Sequence, residues 1–389
     1  MSFPTIKNGE GFLKMWSRVS KSFKMPPQEK AMDIILLLVT LILVTIGTVM
    51  IYSSSSILAM KKFNDGQYFL KKQIFFVLLG LGIMVLITKI PYDRLKKFAY
   101  PGVLLSAILL FLLLIPHIGI RAGGATRWLK VGFFSFQVTE MVKVSMVLFL
   151  AHFLTKKYGQ ITDFKRAVLL PLLVILFIVG LILLEPDFGT AVIISLIMML
   201  MFYLAGCRIL HLTGIVALFA PAAIWLLLHK SYRLVRLMSF LDPWKDPQRS
   251  GFQIIQSLLS FGSGGTFGVG IGDGMQKLFY LPEPHTDFIL SIIAEESGFI
   301  GVLIVLFLFA ILIIRGLLIS FRAPDLFSTL LAAGLTMVIA LEAFINIAGV
   351  MGLIPLKGLA LPLVSYGGTS LIMSLATVGI LLNISSYQK

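Results

Sequence analysis

Residues 262–287 read GSGGTFGVGIGDGMQKLFYLPEPHTD, and residues 288–314 continue as FILSIIAEESGFIGVLIVLFLFAILII. The first stretch is polar and dense in glycine. The second is mainly apolar, though it carries Glu295 and Glu296, and is longer than the roughly 20 residues that cross a bilayer as a helix. Asp287 stands where one becomes the other. An ionised group at the mouth of a membrane helix is costly unless it is paired or used. A carboxylate delivered there by a structured loop is therefore a candidate active-site group.

Outward from this junction, apolar runs recur along almost the whole chain, and 58% of its residues are hydrophobic against 13% charged. A soluble chain of this length needs far more polar surface. The runs are continuous and lack the period-2 alternation of a membrane barrel, so helices must satisfy the backbone in lipid. The fold class expected is an all-α polytopic membrane protein. About ten spans of about 20 residues fit the pattern, near 32–53, 72–90, 99–117, 138–155, 167–185, 189–207, 211–229, 288–314, 326–350 and 366–386. Basic clusters sit before the first run and after every second one: Lys21, Lys24 and Lys30; Lys89, Arg94, Lys96 and Lys97; Lys156, Lys157, Lys165 and Arg166; Arg315 and Arg322. This positive-inside pattern places both termini in the cytoplasm and accounts for the net charge of +15 without nucleic acid. The organisation expected is a basic cytoplasmic tail over 1–31 and one membrane domain over 32–389. A single large extracytoplasmic loop, about 230–286, lies between spans seven and eight. Ile254, Ile255, Leu258 and Leu259 in that loop suggest amphipathic helices on the membrane surface. The first apolar run is too long for a secretory signal. No internal repeat supports an inverted-repeat transporter. The lone Cys207 excludes an intramolecular disulfide framework.

Other charged residues gather at the same outer level. Glu140 and Lys143, three apart, share a helix face and read first as a structural ion pair. Arg121, Arg127 and Lys130 lie in a loop beside Gly123 and Gly124, read either as solvated or as phosphate-holding. Glu185-Pro186-Asp187 has two readings, a tight turn or carboxylates sharing magnesium or manganese. Lys357 and Ser365 belong to the last outer loop, whose Gly367 and Gly368 suit close helix packing. Glu342 and Asn346 share a face of the ninth span and should point into the bundle. His285 suits positioning or hydrogen bonding as well as catalysis. The histidines show no metal-ligand spacing, and the glycines of 262–274 follow no strand, so no nucleotide cofactor is expected.

Tyr280-Leu281-Pro282-Glu283-Pro284-His285-Thr286-Asp287, with Phe288 and Ala294-Glu295-Glu296, resembles the signature of the SEDS family of bacterial cell-wall polymerases, FtsW and RodA. Arg127-Trp128-Leu129 with Gly132, Gln137, Glu140 and Lys143 is similar to a second motif of that family. Glu185-Pro186-Asp187-Phe188-Gly189-Thr190 and Pro362-Leu363-Val364-Ser365-Tyr366-Gly367-Gly368 resemble two more. Gln276-Lys277-Leu278-Phe279-Tyr280 and Leu353-Ile354-Pro355-Leu356-Lys357-Gly358 look more like the division branch, FtsW, than the elongation branch, RodA. Val138-Thr139 in place of the usual Pro-Ser, and Thr369 where Ser is common, depart from the pattern without removing a charge.

The resemblance implies a peptidoglycan glycosyltransferase acting on lipid II, an undecaprenyl-pyrophosphate-linked disaccharide-pentapeptide. An α-linked donor giving a β-1,4 product requires a single inverting displacement with one general base, and Asp287 is the residue expected to serve. Arg127 and Lys143 carry over from the motif as substrate-binding residues, with Glu140, His285, Lys357 and Ser365 grouped beside them. Asp187 is the candidate ligand of a divalent cation, and Asp287 itself stands as either base or cation ligand. The resemblance also implies a class B penicillin-binding protein as transpeptidase partner, other divisome membrane proteins, and a place in the bacterial inner membrane at the septum. Three other readings stay open: the elongation-type polymerase of the RodA branch, a lipid II flippase, and a structural scaffold in which Asp287 is replaceable.

Overall fold

The computed structural model describes residues 31–122, 125–132, 134–229, 231–278, 281 and 284–388. The basic tail up to Lys30, Gly123, Gly124, and Phe279, Tyr280, Pro282 and Glu283 of the signature lie outside the described residues, as does the side chain of Arg121. The helices are α1 (Ile34–Phe63), α2 (Tyr68–Thr88), α3 (Tyr92–Leu113), α4 (Val138–Lys156), α5 (Phe164–Leu184), α6 (Phe188–Leu204), α7 (Ile209–His229), α8 (Ser231–Leu241), α9 (Phe252–Gly264), α10 (Ile289–Arg322), α11 (Leu326–Val350) and α12 (Gly368–Ser385). Among the described residues, nine of these are long and apolar enough to cross a membrane, and α6 is an apolar helix just short of that length. They correspond one for one to the ten runs in the sequence. α1 continues well past its apolar run and stops at Asn64, whose left-handed conformation (φ 55°) is one asparagine tolerates at a helix end.

Polar helix ends and small residues fix the packing. Asp33 caps α1 by accepting from the Leu36 N–H at 2.9 Å, and Arg315 of α10 donates to the same carboxylate at 2.9 and 2.5 Å. The Asp33 N–H donates to Ser385 Oγ at 3.0 Å, so α1, α10 and α12 are tied at one end of the bundle. Nearby, Asp325 caps α11 and accepts from the Tyr92 hydroxyl at 3.0 Å. α4, α11 and α12 are mostly buried and form the centre, whereas α2, α3 and α7 present apolar side chains outward. Gly47 of α1 lies against the backbone of Val364, where a Cβ would stand 2.5 Å from the carbonyl oxygen. Only glycine lets the loop before α12 seat there.

Two connections differ from the sequence reading. Residues 119–137 form a three-stranded antiparallel sheet, β1 (Gly119–Ala122), β2 (Ala125–Val131) and β3 (Phe134–Gln137), in the order β1-β2-β3. Trp128 faces Gln137 and Lys130 faces Ser135 across the β2–β3 pair. The alternation is there in the sequence, with Leu129 buried between half-buried Trp128 and exposed Lys130, but charges and glycines masked it. β3 runs directly into α4, so Arg127 rides on a strand and not on a flexible loop. The second difference concerns the long connection. α8 is largely exposed, as a surface helix would be, but α9 is docked into the bundle, with Ile254 and Ile255 buried. Ser257 of α9 bonds Ser291 Oγ at 2.7 Å and donates to the Val350 carbonyl at 2.5 Å.

Candidate active site

The end of the bundle opposite Asp33 and Arg315 carries the candidate site residues. Asp287 closes a turn whose three consecutive carbonyls are all held. The Tyr366 N–H donates to the His285 oxygen at 2.9 Å, Ser365 Oγ to the Thr286 oxygen at 2.6 Å, and Asn346 Nδ2 to the Asp287 oxygen at 2.9 Å. Asn346 also donates to the Leu359 carbonyl at 2.5 Å, binding the turn and the last loop to α11. The half-buried Asp287 carboxylate lies over Gly358, where a Cβ would come within 3.0 Å of its Oδ2. Gly358 has φ +65°, so a side chain there would both strain the backbone and crowd the acid. Fixing every carbonyl of the turn leaves the carboxylate little freedom, which is what a preorganised catalytic group requires.

Beyond Gly358 lies a second cluster. Asp187 caps α6, accepting from the Thr190 N–H at 3.1 Å and the Thr190 hydroxyl at 2.8 Å. Arg127 Nε sits 3.1 Å from Asp187 Oδ2 as a charge contact, without the alignment of a hydrogen bond. The stem of Lys357 lies across Gly189 so closely that any Cβ there would overlap its Cε. Among the described residues its buried ammonium has no hydrogen-bond partner. Burial pushes Lys357 down to about 7; Asp187 and Glu342 hold it up, while Lys143 and Arg127 press it lower. Glu185 is buried, and among the described residues both of its carboxyl oxygens are without a hydrogen-bond partner. Burial, then Asp187, pushes it up to about 8 against the pull of Arg127.

Deeper, Lys143 is inserted between two carboxylates. It donates to Glu140 at 2.8 Å and to Glu342 of α11, and all three residues are buried. The ion pair read from the sequence is therefore present, and Glu342 joins it from a distant helix. Sequence spacing alone could not supply that partner.

The expected residues thus fall into three groups. Arg127, Asp187 and Lys357 come together beside Asp287, with Glu140, Lys143 and Glu342 beneath them. Ser365 is near, but its hydroxyl is engaged, donating to Thr286 and accepting from the Leu361 N–H at 2.8 Å. His285 stands aside in an aromatic recess, its ring 4.4 Å from that of Phe69 and 5.4 Å from that of Tyr366. Lys130 is exposed.

A cavity of about 480 Å3 opens beside this turn. Lys71 and Lys72 of α2 line one part, with Ser135, Thr286 and Tyr366; Phe75, Phe76, Ile120 and Trp128 give it apolar walls. Lys72 is steadied by Tyr68, donating to its hydroxyl at 2.7 Å. The two lysines were missed because they sit at the start of an apolar run. The available signal was basic residues on the side that the positive-inside pattern leaves acidic or neutral.

A cation fits this end of the bundle only in a limited way. Among the described residues no three His, Cys, Asp or Glu groups converge on one point. Magnesium, however, commonly takes one or two carboxylates and completes its shell with water and substrate phosphate. The unpartnered Glu185 oxygens, two residues from Asp187, meet that requirement.

Fold and site together define a polytopic α-helical membrane protein with its candidate site residues gathered at one end of the bundle. The FtsW/RodA/SpoVE family model, described as cell cycle protein, matches residues 33–389, and the chain belongs to that family. It is 44% identical to the probable peptidoglycan glycosyltransferase FtsW of Trichlorobacter lovleyi over 91% of this chain and 93% of that one. Stage V sporulation protein E of Bacillus subtilis is 42% identical over 94% of this chain and 100% of its own length. Among solved structures, a chain from a peptidoglycan synthase complex that coordinates polymerization and crosslinking superposes with a TM-score of 0.74 at 32% identity, covering 91% of this chain and 98% of that chain. RodA of Thermus thermophilus gives 0.67 at 28% identity, covering 91% and 97%. The division-type motifs of the sequence agree with the FtsW relatives.

Proposed function

We propose that this chain is a peptidoglycan glycosyltransferase that polymerises lipid II from the outer face of the cytoplasmic membrane, at the division septum. The observation that carries the reading is the cavity beside Asp287. Its lining joins Lys71 and Lys72, whose ammoniums contact Asp65 at 2.8 Å and the Tyr68 hydroxyl at 2.7 Å and carry charge suited to a pyrophosphate, to aromatic and aliphatic walls, suited to a polyprenyl chain. Thr286, the residue next to Asp287, lines it, so a ligand seated there lies against the turn that carries the carboxylate.

The acceptor 4-hydroxyl attacks the anomeric carbon of the donor. The new carbon–oxygen bond forms as the bond to the lipid pyrophosphate breaks, and the hydroxyl proton passes to Asp287. Negative charge accumulates on the departing pyrophosphate, and preorganised cations lower that barrier. Lys71 and Lys72 line the cavity, and Arg127 and Lys357 supply further positive charge beside Asp287. Glu185 and Asp187 would hold a divalent cation, which supplies charge neutralisation for the same leaving group. Glu140, Lys143 and Glu342 form the charged floor. Beneath Lys143 the interior turns apolar, a void of about 10 Å3 among Met146, Leu150 and Ile175, which favours a one-sided enzyme over a two-sided lipid II flippase. A class B penicillin-binding protein is the partner this reading assigns, in line with the synthase complex to which the fold is similar, together with other divisome membrane proteins.

The test is polymerisation of lipid II in detergent by the purified chain with its transpeptidase partner. Glycan polymer is expected. Lys71→Ala/Lys72→Ala should raise KM for lipid II about tenfold, the loss of roughly 1.4 kcal/mol of binding, and weaken its dependence on salt. Absence of polymer from the wild-type chain under any partner or metal condition would sink the assignment.

A further inference from the structure

Ten residues before Asp287 lies a buried cation with no part in the chemistry above. Lys277 donates to Glu296 Oε1 at 2.7 Å and to Ser53 Oγ at 3.2 Å. Ser53 of α1 donates to the same carboxylate at 2.7 Å, and all three side chains are buried. The neighbouring Glu295, also buried, accepts from the N–H groups of Met275 at 2.8 Å and Gln276 at 3.2 Å. Two consecutive glutamates of α10 thus grip three consecutive residues of the loop. Residues 275–277 and 295–296 form the base of a closed ring of chain, and Asp287 stands near its middle.

The ring is further secured below. α10 breaks at Gly298 (φ 66°, ψ −166°), and the glycine-rich strand of loop fills the break. The Val269 and Gly270 N–H groups donate to the Glu295 and Glu296 carbonyls at 3.0 and 3.1 Å. The Phe299 and Ile300 N–H groups donate back to Gly265 and Thr266 at 2.9 and 3.2 Å. Roughly 30 Å of helix, at about 1.5 Å per residue, separates Glu296 from Arg315 and Ser53 from Asp33. The triad therefore sits at the same end of the bundle as Asp287, directly across α1 and α10.

A buried ion pair adds little net stability over apolar packing of the same shape, because both charges must be desolvated. What it adds is register: a buried charge cannot slide to another position without losing its partner. We propose that Lys277, Glu296 and Ser53 are positioning residues for the reaction, clamping the base of the ring that presents Asp287 to the substrate. This rests on the glycosyltransferase reading. Tyr366, Ser365 and Asn346 hold the turn from one side; releasing the base removes its second anchor, and displacement of a reacting group by about 1 Å costs as much as 100-fold in rate. Apart from Thr286, the lining of the cavity that binds the lipid comes from elements outside the ring.

The experiment uses the full-length chain with its transpeptidase partner and lipid II in detergent. Lys277→Met should lower kcat about 10- to 100-fold, with KM within about twofold, while Lys277→Arg restores most of the rate. Glu296→Gln/Lys277→Met should be less damaged than the product of its single variants, because neither charge is left alone. Amide hydrogen exchange over 284–288 should rise in Lys277→Met, with the exchange of α4, α11 and α12 unchanged. A fall in KM-limited binding with kcat preserved, independent effects of the two changes, or unaltered exchange at 284–288 would overturn the proposal. If Lys277→Met proves poorly folded, Ser53→Ala, which leaves the ion pair in place, should give a smaller kcat loss of the same kind; an unchanged kcat there also overturns it. Lack of polymer from the wild-type chain refutes the glycosyltransferase reading instead.

Discussion

Histidine's ordinary pKa lies near neutrality, which makes any histidine beside a candidate base a rival for its role. His285 is removed from that contest by its surroundings. Burial, followed by the positive charge of Lys62, holds it down to about 4, so it is neutral wherever the protein works. A folded-state value below the ordinary 6.5 contributes stability that is present above pH 6.5 and is lost as pH falls through about 4. The wild-type chain should therefore lose thermal stability between those limits more steeply than His285→Gln, measured as Tm in detergent across pH 4 to 7. Above about pH 5.5 the two should show pH–rate profiles of the same shape, because a neutral imidazole contributes no ionisation there. Asp287 was legible in the sequence for the opposite reason. A charge at the mouth of an apolar run is anomalous whatever the fold, whereas the Lys143–Glu342 contact joins residues far apart in sequence and depends on helix packing that no local pattern encodes. Lys71 and Lys72 were hidden by their position at the edge of a span, where lysines pass for ordinary interfacial anchors.

At the scale of elements, the apolar runs gave the helices at nearly their observed places because lipid leaves the backbone no alternative. Segments outside that constraint were less readable. The β1–β3 sheet needed a neighbour for each strand, and α9 needed knowledge that α10 and α11 offered it a groove. The break in α10 belongs here too. Gly298 takes a left-handed conformation, and a Cβ there would lie 2.3 Å from the Gly268 nitrogen and 2.6 Å from the Thr266 carbonyl. Gly298→Ala should cost roughly 1–3 kcal/mol through backbone strain alone, and more through the clash. The expected outcome is a lower Tm in detergent together with a reduced polymerisation rate. A variant with wild-type stability would show that the loop and helix are not interlocked as described.

For the molecule as a whole, the motifs of the sequence resemblance and the geometry point to the same end of the bundle. Four motifs spread from Arg127 to Gly368 converge on the turn that carries Asp287. The last of them, Pro362 to Gly368, acts through Tyr366 and Ser365 by holding that turn in place. A scaffold could keep such an arrangement without using its carboxylate, and a flippase would need no fixed acid at one mouth. The glycosyltransferase proposed here requires both the turn and the acid. The direct measurement is lipid II polymerisation in detergent, with the transpeptidase partner present, by wild type and Asp287→Asn at matched Tm. Polymer from the wild type and a loss of at least about 100-fold in the variant, in the range removal of a general base produces, is the outcome predicted here. Polymer formed at the wild-type rate by Asp287→Asn would contradict it.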